Sequence, residues 1–455
     1  MKVKTKVSFV CQECGYDSPS WLGKCPECGV WNSLREFKSP RLSGGQVRVD
    51  KEQVKPQKLG DIAYTEKSRI RTEYNELNTV LGGGFVTGSV TLLAGDPGVG
   101  KSTLLLQLAL SLAIDGKRIL YVNGEESSEQ VKMRAERISL SRAKGENLFL
   151  VSLVDTEEIV SQIEEFKPDL VIVDSIQMIE SQSVSGLSGS VAQVRYGALQ
   201  FVRLAKRNSI PIVIVGHVTK EGMVAGPMIL SHMVDTVLFI EGERFTQTRI
   251  LRSLKNRFGP VDEVGIFLMG ETGMQEVSNP EQLFMGSSTG SGRLSAPGSV
   301  LVVILEGSRA FLVEVQALVV RSGLPMPRRV VSGMDPRRVE LLLAVLQKHC
   351  RVPLETMDVF VNVAGGLRLS DPGADLGICL AVFSSFSNIS LAGVVGVAEV
   401  GLLGELRSIS GLDKRIREAE KLGFSRILTA KKYKTLKAVI GELPSFAKAT
   451  AGKSE

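Results

Sequence analysis

The feature that most constrains this fold is a glycine-rich nonapeptide placed directly after a short apolar run. Residues 95–103 read Gly-Asp-Pro-Gly-Val-Gly-Lys-Ser-Thr, and residues 90–94 before them read Val-Thr-Leu-Leu-Ala. Residues 101–114 are rich in leucine and alanine and are predicted to form a helix. A strand, the pattern G-x4-G-K-[ST] and a helix in this order predict a phosphate-binding loop rather than an ordinary glycine-rich turn.

Each residue type in this loop suits the binding of a nucleoside triphosphate. The glycines let successive backbone N–H groups converge on a polyphosphate. We expect Lys101 to reach the outer phosphates and the Ser102 hydroxyl to hold Mg²⁺, with the positive end of the helix aimed at the anion. The predicted ATP-binding residues are Gly95, Asp96, Pro97, Gly98, Val99, Gly100, Lys101, Ser102 and Thr103.

Carboxylates at the ends of two further apolar strands extend this predicted site. Asp174 ends the run Leu-Val-Ile-Val, where an acidic residue suits the second Mg²⁺ contact of a P-loop enzyme. The alternative for Asp174 is a helix N-cap. Glu125 and Glu126 follow a strand at 119–123, and we favour Glu125 as the group that deprotonates the attacking water. The alternative is a carboxylate in the first turn of the next helix.

Three other polar side chains also follow or end predicted strands. His217 follows the strand at 210–215, where a polar group can sense the γ-phosphate, although a lone histidine is more often structural. Lys255 and Arg257 are two residues apart and so share one face of a strand. Two such cations can clamp a phosphate or stabilise transition-state charge as an arginine finger. A solvated edge strand is the alternative for this pair.

Composition indicates a soluble multidomain chain with a basic front end. The 455 residues are 43% apolar and 23% charged, which predicts two or three globular domains. Of the net charge of +6, the first 75 residues carry +5, from 14 Lys and Arg against 9 Asp and Glu. This basic segment fits an anionic partner such as nucleic acid, or equally a solvated flexible arm.

Neither a signal peptide nor a membrane span is predicted. The first ten residues alternate lysine with valine and lack an apolar stretch. Residues 376–398 carry no charge, but serines and an asparagine at 384–390 interrupt them, which favours a buried helix, a loop and a strand. We therefore expect a cytoplasmic protein with no membrane contact.

Four of the six cysteines have the spacing of a structural zinc site. Cys11 and Cys14 form one C-x2-C pair, Cys25 and Cys28 form a second, and a glycine follows each pair. Paired knuckles of this kind predict a tetrahedral Zn²⁺ site whose ligands all come from the protein. Two disulfides would fit poorly with a cytosolic chain.

The predicted domains follow from these motifs and from composition. Residues 1–33 form the zinc module, 34–64 a basic linker, 65–280 an ATPase domain and 281–455 a further α+β domain. Within 65–275, solid Val, Ile and Leu strands alternate with helices, which predicts a parallel sheet covered on both faces. Ligands then lie at the carboxyl ends of the strands.

Taken together, these residues resemble the bacterial RadA (Sms) family of DNA-repair proteins over nearly the whole chain. The resemblance rests on the four-cysteine module, the P-loop, Gly-Glu-Glu-Ser at 124–127, the strand ending in Asp174, and Lys-Asn-Arg-Phe-Gly at 255–259. It implies an α/β fold: a RecA-type P-loop core, an N-terminal zinc module and a C-terminal α+β domain similar to that of the Lon protease.

The resemblance also implies roles for several residues. Glu125 matches the general-base glutamate of RecA-type cores, and His217 occupies the place of the γ-phosphate-sensing glutamine. Lys255 and Arg257 resemble cations that reach a neighbouring subunit's ATP in a hexameric ring. The loops at 180–191 and 218–227, with Lys220 and Arg195, lie where such cores contact DNA. The implied partners are single-stranded and branched DNA and the RecA recombinase.

Two positions depart from the Lon-type serine–lysine dyad. Asp375 stands where the catalytic serine is expected, and Arg415 stands near the place of the lysine. A carboxylate offers no hydroxyl nucleophile, and a guanidinium stays protonated. The sequence leaves three candidate functions: a DNA-stimulated motor that drives branch migration, an ATP-switched DNA-bound scaffold, and an ATP-dependent protease. Asp375 and Arg415 disfavour the protease.

Overall fold

The computed structural model describes residues 7–11, 16–27, 29–38, 58, 69–138, 146–217, 230–242, 246–277 and 296–451. Contacts divide the chain into two units, Met1–Glu276 and Val277–Glu455. The predicted division into four segments at 33/34, 64/65 and 280/281 stays a prediction.

A small antiparallel sheet forms the N-terminal module. Its strands are β1 (Val7–Cys11), β2 (Asp17–Ser18) and β3 (Leu34–Lys38), in the order β2-β1-β3. Cys11 and Cys25 are buried together with Leu34, and Phe9, Tyr16 and Leu22 pack around them. So small an apolar core stabilises a fold weakly, which is why modules of this size commonly depend on a metal.

A nine-stranded sheet forms the body of the first unit. In chain order its elements are β4 (Arg69–Ile70), α1 (Asn75–Leu81), β5 (Phe85–Val86), β6 (Val90–Gly95), α2 (Lys101–Ile114), β7 (Ile119–Asn123), α3 (Ser128–Ile138), β8 (Leu148–Val151), α4 (Thr156–Phe166), β9 (Leu170–Asp174), α5 (Val191–Asn208), β10 (Ile212–His217), β11 (Thr236–Glu241), β12 (Thr248–Asn256), β13 (Val264–Gly270) and β14 (Gly273–Glu276). The strand order is β14-β13-β12-β11-β6-β10-β9-β7-β8, and β4 and β5 pair separately.

The central strands are apolar throughout because helices cover both faces of the sheet. On one face Leu93 joins a core cluster that includes Leu104 of α2. On the other face its neighbour Leu92 joins a second cluster that includes Phe201 of α5. Alternate residues of one strand therefore enter different cores, as the period of two in a strand requires. The predicted α/β fold class is confirmed.

One feature of the predicted sheet is wrong, because it is not parallel throughout. Strands β6 to β11 run parallel, whereas β12, β13 and β14 are antiparallel to their neighbours. The physical reason is the length of the connections. A parallel crossover takes a dozen or more residues, and none of the described residues between 236 and 276 is helical.

The second unit is an α+β domain around a mixed six-stranded sheet. Its elements are β15 (Ser299–Glu306), β16 (Arg309–Arg321), β17 (Arg329–Ser332), α6 (Pro336–Cys350), β18 (Met357–Val363), α7 (Asp375–Ser387), β19 (Val394–Val397), β20 (Glu399–Val400), β21 (Leu406–Arg407), α8 (Leu412–Lys421), β22 (Arg426–Thr429) and α9 (Leu436–Ala451). The sheet order is β17-β18-β16-β15-β19-β22, and β20 pairs with β21.

The uncharged stretch at 376–398 folds as predicted, into a buried helix, a loop and a strand. These are α7 and β19, and Gly377 of α7 lies so close to the sheet that a Cβ there would overlap the side chain of Val302. Within the described part of the chain, no helix has both the length and the apolar character needed to cross a bilayer.

Candidate nucleotide and metal sites

Strand register brings the predicted ATPase residues to one edge of the sheet. His217, at the end of β10, pairs with Gly95, at the end of β6. Asn123, at the end of β7, pairs with Asp174, at the end of β9. Because these four strands are parallel and neighbouring, the P-loop and the residues that follow each strand share the same edge, where ligands of such sheets bind.

The backbone of the P-loop takes conformations that suit glycine. Gly98 and Gly100 have φ values of 79° and 109°, and a Cβ on Gly100 would overlap the methyl groups of Met269 and Met274. Helix α2 begins at Lys101 without a side-chain cap on its first turn. Its free amides and positive end therefore fit an anion.

Lys101 is a buried cation at the base of this loop. Its side chain is 3% exposed, and Nζ donates to the carbonyls of Gly95 at 2.8 Å and Asp96 at 2.9 Å. Burial lowers the pKa of Lys101, and the nearby charges of Asp174, Asp96 and Glu125 act against that shift. A buried ammonium can bind phosphate oxygens, and the carboxylates beside it can bind Mg²⁺.

Asp174 is anchored by a residue that sequence analysis did not single out. It is 7% exposed, and its Oδ2 accepts a hydrogen bond from the Tyr121 hydroxyl at 2.6 Å. The peptide bond to Ser175 is cis. The short helical turn that follows has Ser175, not Asp174, as its N-cap, so the N-cap alternative for Asp174 is wrong.

The two adjacent glutamates have different partners. Glu125 Oε1 lies 3.2 Å from His217 Nε2 and also accepts from the Ser175 hydroxyl. The bond to His217 is the largest cause that lowers the pKa of Glu125 to about 2. Glu126 is instead ion-paired with Arg134 of α3. Glu125 is therefore an ionised carboxylate at the P-loop edge, and Glu126 is held by the neighbouring helix.

A short relay leads from this carboxylate into the loop after β9. The Gln177 side chain donates to the backbone carbonyl of His217 at 3.4 Å. Further along, the buried Gln193 donates to the carbonyls of Ser181 at 3.0 Å and Val184 at 2.8 Å. The loop predicted to contact DNA at 180–191 is thus fastened to α5. Arg195 belongs to α5, whereas Lys220 and the loop at 218–227 lie outside the described residues.

Arg249 of β12 braces the P-loop, and no sequence signal pointed to it. It is 8% exposed, and its Nε donates to the Val99 carbonyl at 3.0 Å. Its Nη1 donates to the carbonyls of Thr246 at 2.6 Å and Thr248 at 2.9 Å. The antiparallel strands therefore contribute directly to the shape of the phosphate-binding loop, which a pattern search along the chain does not reveal.

Lys255 and Arg257 lie at the opposite edge of the sheet from their own P-loop. Lys255 pairs with Val237, which pairs with Leu92, three residues before Gly95 along β6. At about 3.3 Å per residue, this places the cation roughly 10 Å or more below the loop. Lys255 Nζ donates to the carbonyls of Ser231 at 2.6 Å and Val234 at 2.8 Å.

Arg257 is held at that edge by a buried carboxylate. Its Nη1 lies 3.2 Å from Asp235 Oδ1, and Asp235 Oδ2 accepts from the Val90 amide at 3.1 Å. The Arg257 side chain is 53% exposed, whereas Asp235 is 5% exposed. Arg257 is thus a fixed cation that faces solvent, beyond reach of the nucleotide site in its own chain.

In the described half of the cysteine module, the two cysteines lie in equivalent backbone turns. The amide of Cys11 donates to the Tyr16 carbonyl at 2.9 Å, and the amide of Cys25 donates to the Val30 carbonyl at 3.0 Å. In each turn, the amide of the cysteine bonds to the carbonyl of the residue five positions later, so the two turns have the same length. Among described residues no group of three or more metal-binding side chains is found, and the predicted ligands Cys14 and Cys28 lie outside those residues.

Known protein families match the regions that contain the P-loop and the cysteine module. The AAA domain profile matches residues 53–223, and the rubredoxin metal binding domain profile matches residues 9–36. The protein named DNA repair protein RadA from Halalkalibacterium halodurans is 46% identical over 429 residues, which cover 93% of this chain and 92% of that protein. The proteins of the same name from Bacillus subtilis and Listeria monocytogenes are 44% and 43% identical over 431 and 433 residues, with 92% and 93% of their lengths covered.

This chain belongs to the RadA family. Its cofactors are accordingly ATP with Mg²⁺ and a structural Zn²⁺. The residues described above fit both groups: Lys101, Asp174 and the free amides of α2 would hold the nucleotide and its cation, and buried cysteine thiols would hold zinc. ATP supplies the phosphoryl group that is transferred to water, and zinc supplies folding energy.

In this RadA-family chain, the two residues predicted to stand at the Lon-type dyad positions belong to separate ion pairs. Asp375 is 1% exposed, and its Oδ1 accepts from Arg338 Nε at 3.1 Å. Arg415 is 2% exposed, and its Nη1 donates to Asp371 Oδ2 at 2.5 Å and to the Val303 carbonyl at 2.7 Å. Asp375 and Arg415 are each paired with a different residue. They therefore do not form a catalytic dyad of a nucleophile and a general base.

The glutamate assignment is tested by two matched substitutions. We expect Glu125→Gln to lower the rate of ATP hydrolysis by about 10²–10⁴-fold, since a general base contributes that much. Glu126→Gln is expected to stay within a few-fold of the parent, because Arg134 already holds that carboxylate away from the P-loop edge. Steady-state phosphate release measures both, and a larger loss in Glu126→Gln would reverse the assignment.

Zinc dependence is tested at a buried thiol. We expect Cys25→Ala to release Zn²⁺ and to unfold the module, because a structural zinc site contributes its binding energy to folding. Metal content by atomic absorption and protease sensitivity of residues 1–38 report the change. Cys379→Ala, at a buried cysteine of the second unit, serves as control; a loss of zinc there too would count against the assignment.

Stability of the second unit is tested at its buried arginine. Arg415→Met leaves Asp371 without its ionic partner, and breaking a buried pair in this way costs about 3–5 kcal/mol. The adjacent Lys414 is exposed, and Lys414→Met is expected to change stability by about 0.5 kcal/mol or less. Chemical denaturation of both variants compares them, and equal unfolding midpoints would contradict a structural role for Arg415.

Proposed function

We propose that this protein is a DNA-stimulated ATPase that acts in recombinational repair and drives branch migration along single-stranded DNA. The observation that carries the proposal is the contact between Glu125 and His217 at the end of two parallel strands. Glu125 is the proposed general base and His217 the proposed sensor of the γ-phosphate. Lys101 and Asp174 are proposed to bind the phosphates and Mg²⁺.

The coupling to DNA is proposed to run through the loops that begin at this contact. The segment after His217 leads into the loop at 218–227. The Gln177 side chain reaches the His217 carbonyl at 3.4 Å from the other segment, which leads into the loop at 180–191. A change at the γ-phosphate therefore has a hydrogen-bonded route through Gln177 toward the loop at 180–191, and residue 218 follows His217 directly along the chain. Conversely, a DNA strand bound by those loops would move His217 relative to Glu125.

The position of Lys255 and Arg257 supports action across a subunit boundary. Both cations lie at the edge of the sheet away from their own P-loop, and Asp235 fixes Arg257 in place. A transition state for phosphoryl transfer gains from an additional cation. We therefore propose a homo-oligomer, a hexameric ring in keeping with the RecA-type resemblance, in which each chain completes its neighbour's site.

The competing functions receive less support. Proteolysis would need a nucleophile where Asp375 is bound to Arg338, so we do not propose it. A DNA-bound scaffold that ATP only switches shares the same site, and the two differ in whether hydrolysis performs work on DNA. The proposed partners are single-stranded and branched DNA and the RecA recombinase.

Action in trans is tested by mixing two inactive variants. Lys101→Ala and Arg257→Ala are each expected to lack hydrolysis, but mixed rings contain interfaces that join an intact P-loop to an intact arginine. At equal ratio about a quarter of the interfaces are of this kind in a closed ring, so a fraction of the rate should return. Arg203→Ala, which removes an exposed cation from α5, is the control and should be active alone.

One outcome of the mixing experiment would contradict action in trans. If fluorescence energy transfer shows that subunits exchange and the mixture still fails to hydrolyse ATP, Arg257 does not complete a neighbour's site.

Motor activity is tested on a three-strand recombination intermediate. We expect the parent protein with ATP to move the branch point, and Glu125→Gln with ATP to bind the same DNA without moving it. Binding is followed by anisotropy and branch movement by gel electrophoresis. If the parent with ATP binds the intermediate and leaves the branch point in place, hydrolysis performs no work on DNA and the scaffold function is the correct one.

A further inference from the structure

The chain has two tryptophans, and both lie on the surface of the N-terminal module. Trp21 is 54% exposed and Trp31 is 69% exposed. Neither belongs to the cluster that buries Cys11, Cys25 and Leu34. Leaving large aromatic rings in water forgoes the free energy of their burial. Two exposed rings on so small a module therefore call for a ligand that covers them.

The two indole rings converge on a single point of the backbone. A Cβ placed on Gly23 would lie 3.6 Å from the Trp21 ring and 4.0 Å from the Trp31 ring. The amide of Asn32 donates to the Gly23 carbonyl at 2.8 Å, and Lys24 pairs with Trp31 in an antiparallel bridge. The backbone thus holds the segments that carry the two rings together, so the rings form one surface, which we call the tryptophan platform.

A cation accompanies the platform. Lys24 Nζ lies 5.6 Å from the centre of the Trp31 ring, and Lys24 itself is exposed. In sequence, residues 39–58 directly after the module carry five Lys and Arg against two Asp and Glu. Exposed aromatic faces beside positive charge are what proteins use to bind single-stranded nucleic acids, where bases stack on rings and phosphates meet cations.

We propose that Trp21 and Trp31 form a base-stacking platform for single-stranded nucleic acid on the zinc module. Lys24 contributes a phosphate contact beside it. This proposal deepens the proposed action on DNA and rests on it for its biological setting. It assigns a second contact with the strand, separate from the P-loop edge and from the loops that follow β9 and β10. In this proposal, zinc binding would hold in place the segments that carry the two rings.

The test uses the intrinsic fluorescence of the full-length protein. Because both tryptophans belong to the platform, their emission reports this surface alone. We expect an oligothymidylate of about 20 nucleotides to quench the emission as its bases stack. An abasic oligonucleotide of the same length carries the same phosphates without bases, and it should leave the emission nearly unchanged.

Substitutions separate stacking from charge. The double change Trp21→Ala and Trp31→Ala should weaken binding of labelled oligothymidylate by about tenfold or more, since stacking on aromatics contributes that much per base. The slope of affinity against salt should not change, because no phosphate contact is lost. Trp31→Phe should keep most of the affinity, and Lys24→Ala should reduce the salt slope by about one.

Two controls accompany the series. Met133→Ala removes an apolar side chain of α3 that is 70% exposed and should leave binding unchanged. Zinc content should remain the same in every tryptophan variant, which excludes loss of the module as the cause of weaker binding.

Three results would overturn the platform: no quenching by oligothymidylate, equal quenching by the abasic strand, or unchanged affinity in the double alanine variant. The first is also the result expected if the rings bind a protein. Failure of the proposed function is distinguishable, since it shows as ATP hydrolysis by the parent protein that does not respond to DNA, whatever the tryptophans do.

Discussion

The structure of the first unit is organised around one buried ammonium group. Lys101 is almost fully enclosed, donates to two carbonyls of its own loop, and has Asp174, Asp96 and Glu125 as its nearby charges. Burying a cation is costly unless anions and hydrogen bonds compensate it. The parallel strands supply that compensation, because their register brings Gly95, Asp174 and His217 to the same edge. The phosphate site therefore depends on the pairing of β6, β9 and β10 as much as on the loop sequence.

The antiparallel part of the sheet links this site to the rest of the unit. Arg249 of β12 holds the Val99 carbonyl from one side. Farther along the same strand, Lys255 is held to the carbonyls of Ser231 and Val234, at the opposite edge. One strand thus shapes its own phosphate-binding loop at one end and presents fixed cations at the other. In a ring, this arrangement would connect consecutive ATP sites through a rigid element, a physical route for coordinated hydrolysis.

The sequence predicted what is local in the chain and missed what tertiary pairing decides. The P-loop, the strand ends and the helices α2 to α5 follow from apolar periodicity and glycine spacing, because both are short-range properties. The antiparallel direction of β12 to β14 was not predicted, since a continuous apolar strand looks alike in either orientation. Tyr121, Ser175 and Arg249 carry no motif, and each becomes visible only when distant strands meet. Likewise, the adjacent residues Glu125 and Glu126 have different partners, His217 and Arg134. Their positions in the sequence do not reveal this difference.

The two tryptophans extend this account to the N-terminal module, where a metal orders a segment too small to form a large core. The central claim remains the coupling of ATP turnover at Lys101 and Asp174 to a bound DNA strand. The most direct measurement is the steady-state rate of ATP hydrolysis by the purified protein as single-stranded DNA is titrated at constant salt. The account predicts a rate that rises with DNA and saturates. A rate that stays the same at every DNA concentration would contradict it.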